Sequence, residues 1–332
     1  MMSNSAFKPA WWLPGPHCQT LWATLCKNKN KPLLKTKHER IELPDGDFID
    51  LAWAGGNEGP IVLILHGLEG SAKSSYAQGL LKIFTQHHWR SVVMHFRGCS
   101  DEPNRLSRTY HSGETTDVAT IVNKLKEREP NTPIMAVGFS LGGNVLLKWL
   151  GETGDQNPLT AAVAVSTPFE LQKSVQRLQQ GFSRVYDKYL LRCLNKKIVE
   201  KFKFKDSPIA IELLGKAKSI RDFDDQVTAP LHGFLSAEDY YARSSSRQYV
   251  KSIRVPTLLL QSKDDPFMYA HVIPEAHELS SSVTLEATEK GGHVGFIMGK
   301  FPWAPEYWLE QRIPEFLKSI MMKPRYVGCR LG

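Results

Sequence analysis

Apolar residues come in short unbroken runs along this chain, at Ile61 to Leu65, Val92 to Phe96, Ile134 to Val137, Ala161 to Val165, Thr257 to Gln261 and Val283 to Glu286. Runs of that length, rich in β-branched residues, suit strands covered on both faces, as in a parallel sheet. Arg40 to Leu43 and Phe48 to Ala54 precede them, joined at Asp45-Gly46, a hairpin signal. Between the runs the spacing turns helical, at Tyr76 to His87, Gly113 to Glu129, Leu141 to Glu152 and around Trp308 to Met321. Val118, Ile121, Val122 and Leu125 fall at i, i+3, i+4 and i+7, one apolar helix face. The alternation predicts an α/β fold, a mostly parallel eight-stranded sheet with helices on both faces.

Two stretches depart from it. From about Pro168 to Ser252 no convincing strand pattern occurs, only helical stretches rich in Lys, Arg, Gln, Phe and Tyr. An insertion after the sixth strand lies above the carboxyl edge of the sheet, where open α/β sheets bind ligands, so residues 168–252 are expected to form a helical cap. Residues 1–37 read as an irregular N-terminal arm packed on a domain of residues 38–332. Pro14-Gly15-Pro16 is taken to forbid a continuous helix there, and His17 reads as structural.

Composition adds bounds. With 332 residues, 42% hydrophobic and 23% charged, the chain can bury a sizeable core. No apolar run reaches the roughly 18 residues of a membrane span, and Met1 to Ala10 lacks the plan of a signal peptide, so a cytoplasmic protein is expected. Five scattered cysteines, Cys18, Cys26, Cys99, Cys193 and Cys329, without a C-x-x-C pair, argue against a disulfide framework or a zinc site and read as buried free thiols. The net charge of +8 is partly concentrated in Lys196 to Lys205 and in Lys323 to Arg330. Such runs are most simply solvated faces, with weak peripheral attraction to an anionic membrane as the sharper reading. No motif for nucleic acid accompanies the charge. No feature specifies an oligomeric state.

The candidate chemistry centres on Gly138-Phe139-Ser140-Leu141-Gly142, between a strand run and a helical run, the context of a nucleophile elbow. A serine hydroxyl needs a base, and the base needs an acid to hold its tautomer. In this elbow the chain order is Ser, then Asp or Glu, then His. Asp264-Asp265-Pro266 follows the strand Thr257 to Gln261. Pro266 restrains Asp265 to extended geometry and so favours it, with Asp264 as the alternative. His271 and His277 fall in an expected helix close behind, whereas His293 stands last, in Gly291-Gly292-His293, where a glycine loop can carry the imidazole to the serine. His66-Gly67-Leu68-Glu69-Gly70 follows the strand Ile61 to Leu65, the place of a second oxyanion donor, so the backbone N–H groups of Leu68 and Leu141 are expected to face the developing charge. His66 reads as a structural bond to its loop. Arg97, after Val92 to Phe96, is read as paired with a carboxylate such as Asp117 rather than with substrate, and Cys99 lacks an elbow.

The stretches Trp12 to Thr20, His66 to Gly70, Phe96 to Ser100, Tyr110 to Gly113, Gly138 to Asn144, Lys263 to Phe267 and Gly291 to Phe296 resemble the α/β-hydrolase superfamily, specifically the YheT-like esterases related to eukaryotic abhydrolase-domain lipid hydrolases. The resemblance implies the α/β-hydrolase fold, a triad of Ser140, Asp265 and His293, and hydrolysis of carboxylic esters, with lipid esters as a suspected substrate. The expected partner is a small ester, and no metal or cofactor is required. Thioester hydrolysis or acyl transfer on the same triad, and a non-catalytic scaffold binding a lipid or a partner, are the alternatives.

Overall fold

In the computed structural model, described over residues 2–3, 5–26, 32–203, 206–210 and 215–322, the apolar runs form one sheet. Its strands are β1 (Lys37–Glu42), β2 (Phe48–Ala54), β3 (Ile61–Leu65), β4 (Arg90–Met94), β5 (Ile134–Phe139), β6 (Ala161–Val165), β7 (Thr257–Ser262) and β8 (Val283–Thr288). Their spatial order is β1-β2-β4-β3-β5-β6-β7-β8. β2 pairs antiparallel with β1 and β4, and every later pairing is parallel. β3, β4 and β6 are buried at every position, which is why they read as unbroken runs. β1 at the edge is mostly exposed and charged, a composition that discourages further pairing. β4 ends two residues earlier than its apolar run, because the N–H of Phe96 leaves the ladder for His66 Nε2 at 3.2 Å.

The arm is not irregular as expected. Gly15–Leu25 forms α1, with Pro16 in its first turn. A proline there gives up an N–H that has no partner within the helix, so Pro14-Gly15-Pro16 starts this helix instead of forbidding it. α2 (Ser75–Gln86) covers one sheet face, while α3 (Thr116–Arg128) and α4 (Leu141–Thr153) cover the other.

Between β6 and β7 lie α5 (Leu171–Leu178), α6 (Arg184–Lys201), α7 (Ile220–Phe223), a π-helical turn at Asp224–Thr228, α8 (Ala229–His232) and α9 (Ala237–Ser244). These helices share a core of their own, in which Leu178, Leu194, Ile198, Phe223 and Tyr240 are buried. Leu68, just past β3, and Phe267, just past β7, pack against that core, so the helices lie over the carboxyl ends of the strands. The basic run from Lys196 is not a simple solvated face. Lys197 pairs with Glu69 at 2.8 Å and Lys201 bonds the Asn104 carbonyl at 3.2 Å, because residues four apart share the inward side of α6. Lys205 and the run Lys323 to Arg330 lie outside the described residues, as does Cys329.

Three further expectations need correction. Ile297–Phe301 and Ala304–Tyr307 pair as a hairpin, β9 and β10, before α10 (Trp308–Met321), which joins α2 on its sheet face. His271 and His277 sit in single 3-10 turns, since Pro274 between them prevents one helix. Of the described cysteines only Cys99 is buried, and Cys18 and Cys26 are exposed because α1 turns Gln19, Thr20 and Ala23 inward instead.

Candidate active site

Ser140 sits where β5 turns into α4, with φ 51° and ψ −118°, a conformation rarely adopted by a residue with a side chain. The turn closes because its flanks are glycine. A Cβ on Gly138 would lie 2.4 Å from the Gly142 carbonyl, and one on Gly142 would lie 2.5 Å from the carbonyls of Leu65 and His66. Strain at one residue is thus held by close packing around it. Asn144, fully buried one turn along α4, donates to the carbonyls of Ser112 and Ser244 at 2.8 and 2.7 Å and accepts the Ser246 N–H at 2.9 Å. It ties the end of the inserted helices to the elbow.

The structure brings the three separated side chains together. His293 Nδ1 lies 2.9 Å from Asp265 Oδ2, and His293 Nε2 lies 3.0 Å from Ser140 Oγ. With the carboxylate on Nδ1, that nitrogen carries the proton, and Nε2 is left to accept from the serine hydroxyl. Asp265 is 2% exposed, and its other oxygen accepts the Phe267 N–H at 2.8 Å. Asp264 does not reach the imidazole. Its Oδ1 accepts the Gly292 N–H at 2.9 Å, so the neighbouring acid braces the histidine loop.

That loop is braced from the other side by α1. The His293 N–H donates to Thr20 Oγ1 at 2.9 Å, and Thr20 in turn donates to the Pro16 carbonyl at 2.8 Å. Gln19 donates to the Ile297 carbonyl at 3.1 Å and accepts the Ile297 N–H at 2.7 Å, a two-way bridge at 1% exposure. The ring of Phe267 stacks on the imidazole, centroids 4.0 Å apart and planes within 3°. Chain order and spacing assign Gln19 and Thr20 no role. The signal that could have found them is the stretch Trp12 to Thr20, which carries part of the family resemblance and ends on these two residues.

Leu68 and Leu141 line the cavity that also contains Ser140 and His293. Among the described residues neither backbone N–H has a protein acceptor. Leu141 is the first residue of α4, where helix N–H groups lack internal partners. The Leu68 N–H is aimed by its own peptide. The Gly67 carbonyl of that peptide accepts from His66 Nδ1 at 2.7 Å and from the Gly70 N–H at 3.0 Å, so the N–H points the opposite way. Burial pushes the His66 pKa down to about 3, keeping it neutral, so that Nδ1 donates to the Gly67 carbonyl while Nε2 accepts the Phe96 N–H.

The cavity holds about 960 Å³, counting its open mouth, and its wall toward the inserted helices is largely apolar: Leu171, Val175, Leu178, Leu194, Ile198 and Phe223. Arg97 stays away from it. Its guanidinium forks onto Asp117 at 2.8 and 2.6 Å and also meets Asp45 at 2.7 Å and Asp47 at 3.1 Å, a structural cluster. Cys99 is buried, which pushes its thiol up to about 11, the reverse of what a nucleophile needs. His17 meets the Phe182 ring at a tilt, stacks on Tyr186 and lies 3.1 Å from the Tyr186 hydroxyl.

Residues 60–300 match the family model described as alpha/beta hydrolase fold. The chain is 42% identical over 325 residues to "Putative esterase YheT" of Escherichia coli (strain K12), covering 96% of this chain and 95% of that protein. It is 31% identical to "Phospholipase ABHD3" of Bos taurus over 88% of this chain and 74% of the relative. Among solved structures, the Pyrococcus furiosus esterase Pf2001 superposes with a TM-score of 0.57 at 20% identity, covering 88% of this chain and 95% of that one. Among the described residues, no helix is long and apolar enough to cross a membrane.

Proposed function

The chain belongs to the α/β-hydrolase fold family, within its esterase- and lipase-like relatives, and on that footing we propose that it hydrolyses carboxylic esters through an acyl-enzyme on Ser140. One observation carries the reading: a single imidazole stands within hydrogen-bond reach of both a buried carboxylate and a serine hydroxyl held on an elbow. Ser140 Oγ attacks the ester carbonyl carbon as His293 Nε2 takes its proton. The carbonyl oxygen, now anionic, is received by the N–H groups of Leu68 and Leu141, where one such donor is worth about 3 kcal/mol. The tetrahedral adduct collapses, the C–O bond to the alcohol breaks, and His293 returns the proton to the departing oxygen. Water then repeats the sequence, losing its proton to His293, and releases the acid. Asp265 holds the tautomer and stabilises the imidazolium throughout.

The helices of residues 168–252 supply the apolar wall of the reaction cavity, which supports an acyl chain or lipid ester as substrate. A p-nitrophenyl ester series from two to sixteen carbons, run beside a fluorophosphonate probe, tests the proposal. Wild type labels and turns over, and Ser140→Ala does neither. Labelling that persists in Ser140→Ala refutes it.

A further inference from the structure

The turn that aims the Leu68 N–H has a corner that its own sequence disfavours. Glu69 adopts φ 55°, the left-handed region that glycine enters without steric cost and glutamate does not. Something outside the turn must hold it there. Tyr110 does part of this: its hydroxyl accepts the Glu69 N–H at 2.9 Å and donates to Glu69 Oε1 at 2.8 Å, gripping the residue at both ends. Tyr110 is itself fixed, buried and stacked on Phe96 with planes 8° apart.

The second grip comes from the inserted helices. Lys197 of α6 places its ammonium 2.8 Å from Glu69 Oε1 and 3.1 Å from Cys99 Sγ, beside the reaction cavity that it also lines. Burial opposes that charge, and Cys99 and Glu69 together outweigh it, lifting the lysine above its ordinary pKa. Lys197 is therefore a fixed ammonium with two protein partners, already engaged before any substrate arrives.

We infer that Lys197 is a positioning residue for the oxyanion site: acting through Glu69 and Tyr110, it holds the turn in which the Leu68 N–H faces the reacting carbonyl. Seating α6 over the sheet and completing the anion site are then one event. A cavity whose helices have lifted away would keep the Ser140, His293 and Asp265 contacts and lose one of its two donors. The inference rests on the ester-hydrolase reading, in which Leu68 receives the oxyanion.

The test is steady-state kinetics on p-nitrophenyl butyrate with Lys197→Met, Glu69→Gln and Lys197→Arg, together with fluorophosphonate labelling rates and inhibition by a trifluoromethyl ketone. Lys197→Met is expected to lower kcat at least tenfold with KM within about twofold. Its labelling should slow by a similar factor yet reach the same final extent, and trifluoromethyl ketone affinity should fall in parallel with kcat/KM. Lys197→Arg, which keeps a cation at Glu69, restores most of the rate. If Lys197→Met lacks a cooperative thermal transition, Glu69→Gln reads the same claim while preserving side-chain size. Wild-type kcat in a folded Lys197→Met or Glu69→Gln, or a loss confined to KM, overturns the inference. Both of those results are read on activity that disappears in Ser140→Ala, so they are distinct from failure of the ester-hydrolase reading, which would show as labelling or turnover surviving in Ser140→Ala.

Discussion

Lowering the pH from 7 to 5 should cost this fold about 5 kcal/mol, through imidazoles that stay neutral while folded. Burial pushes His66, His111 and His232 each down to about 3, against 6.5 in an ordinary setting. His111 and His232 face each other with ring centroids 4.5 Å apart, His111 Nδ1 accepting the Gly113 N–H and His232 Nε2 lying 3.2 Å from Thr109 Oγ1. A depressed folded pKa on a base means that the unfolded chain binds the proton first. Stability is therefore fully present above about 6.5 and is lost as the pH falls from there toward 3. At pH 5 each imidazole accounts for about 2 kcal/mol relative to pH 7, roughly 6 for the three. Carboxylates raised by burial, Asp117, Asp187, Asp264 and Asp224, work in the opposite direction. Asp224, buried between the Tyr241 and Thr228 hydroxyls at 2.7 Å each, is pushed up to about 6, mainly by burial. Its folded form keeps a proton that the unfolded chain has released, which restores about 1 kcal/mol by pH 5. His17, His87 and His95 are also lowered by burial and add to the loss. Domains have only about 5–15 kcal/mol in hand, so an effect of this size is large. Urea denaturation at pH 7, 6, 5.5 and 5 gives stability against pH, with an expected slope near pH 5 of about two protons taken up on unfolding. His232→Gln should lower that uptake by about one. A flat profile from pH 7 to 5, or an unchanged slope in His232→Gln, would refute the assignment of these imidazoles as neutral in the folded protein.

Two further outcomes follow from contacts described above. Thr20→Val keeps the shape of the side chain but leaves the His293 N–H without its acceptor. It should lower kcat/KM about tenfold on p-nitrophenyl butyrate and cost about 1–2 kcal/mol in urea denaturation, and a stability loss with unchanged kinetics would show that α1 does not orient the imidazole. Arg97→Met leaves Asp47 and Asp117 buried without their cation. It should destabilise by about 3–5 kcal/mol in the same denaturation assay while sparing the rate per folded molecule, and a cost under about 1 kcal/mol would contradict the pairing.

Much of the architecture is legible in the sequence because a parallel sheet buries both faces of its strands, and five or six consecutive apolar residues such as Ile61 to Leu65 have few other uses. The elbow is legible for a related reason. Gly138 and Gly142 stand where no Cβ fits, so the backbone leaves its demand in the residue choice. Other features leave no such mark. Pro16 reads the same whether it breaks a helix or begins one, and only packing against the histidine loop decides. β9 and β10 are short and interrupted by Gly299 and Pro305, so neither period emerges. Pro266 and the resemblance favour Asp265 over Asp264 in the sequence, and the backbone direction that turns one carboxylate to the ring and the other to the Gly292 N–H is visible only in the structure. The left-handed corner at Glu69 is the least legible, since it is held by residues 41 and 128 positions away that have no local reason to be Tyr and Lys.

The bond from Thr20 to His293 spans 273 positions, and the Gln19 bridge spans 278. A ribosome delivers α1 long before the loop it must clasp, so the growing chain carries an unsatisfied helix until those intervening positions have been made. The sheet and the elbow can assemble during that interval, but the imidazole loop gains its support only when these two distant segments meet. In a refolding time course activity should likewise lag the bulk of the secondary structure, because a contact across 273 positions closes later than neighbouring strands pair.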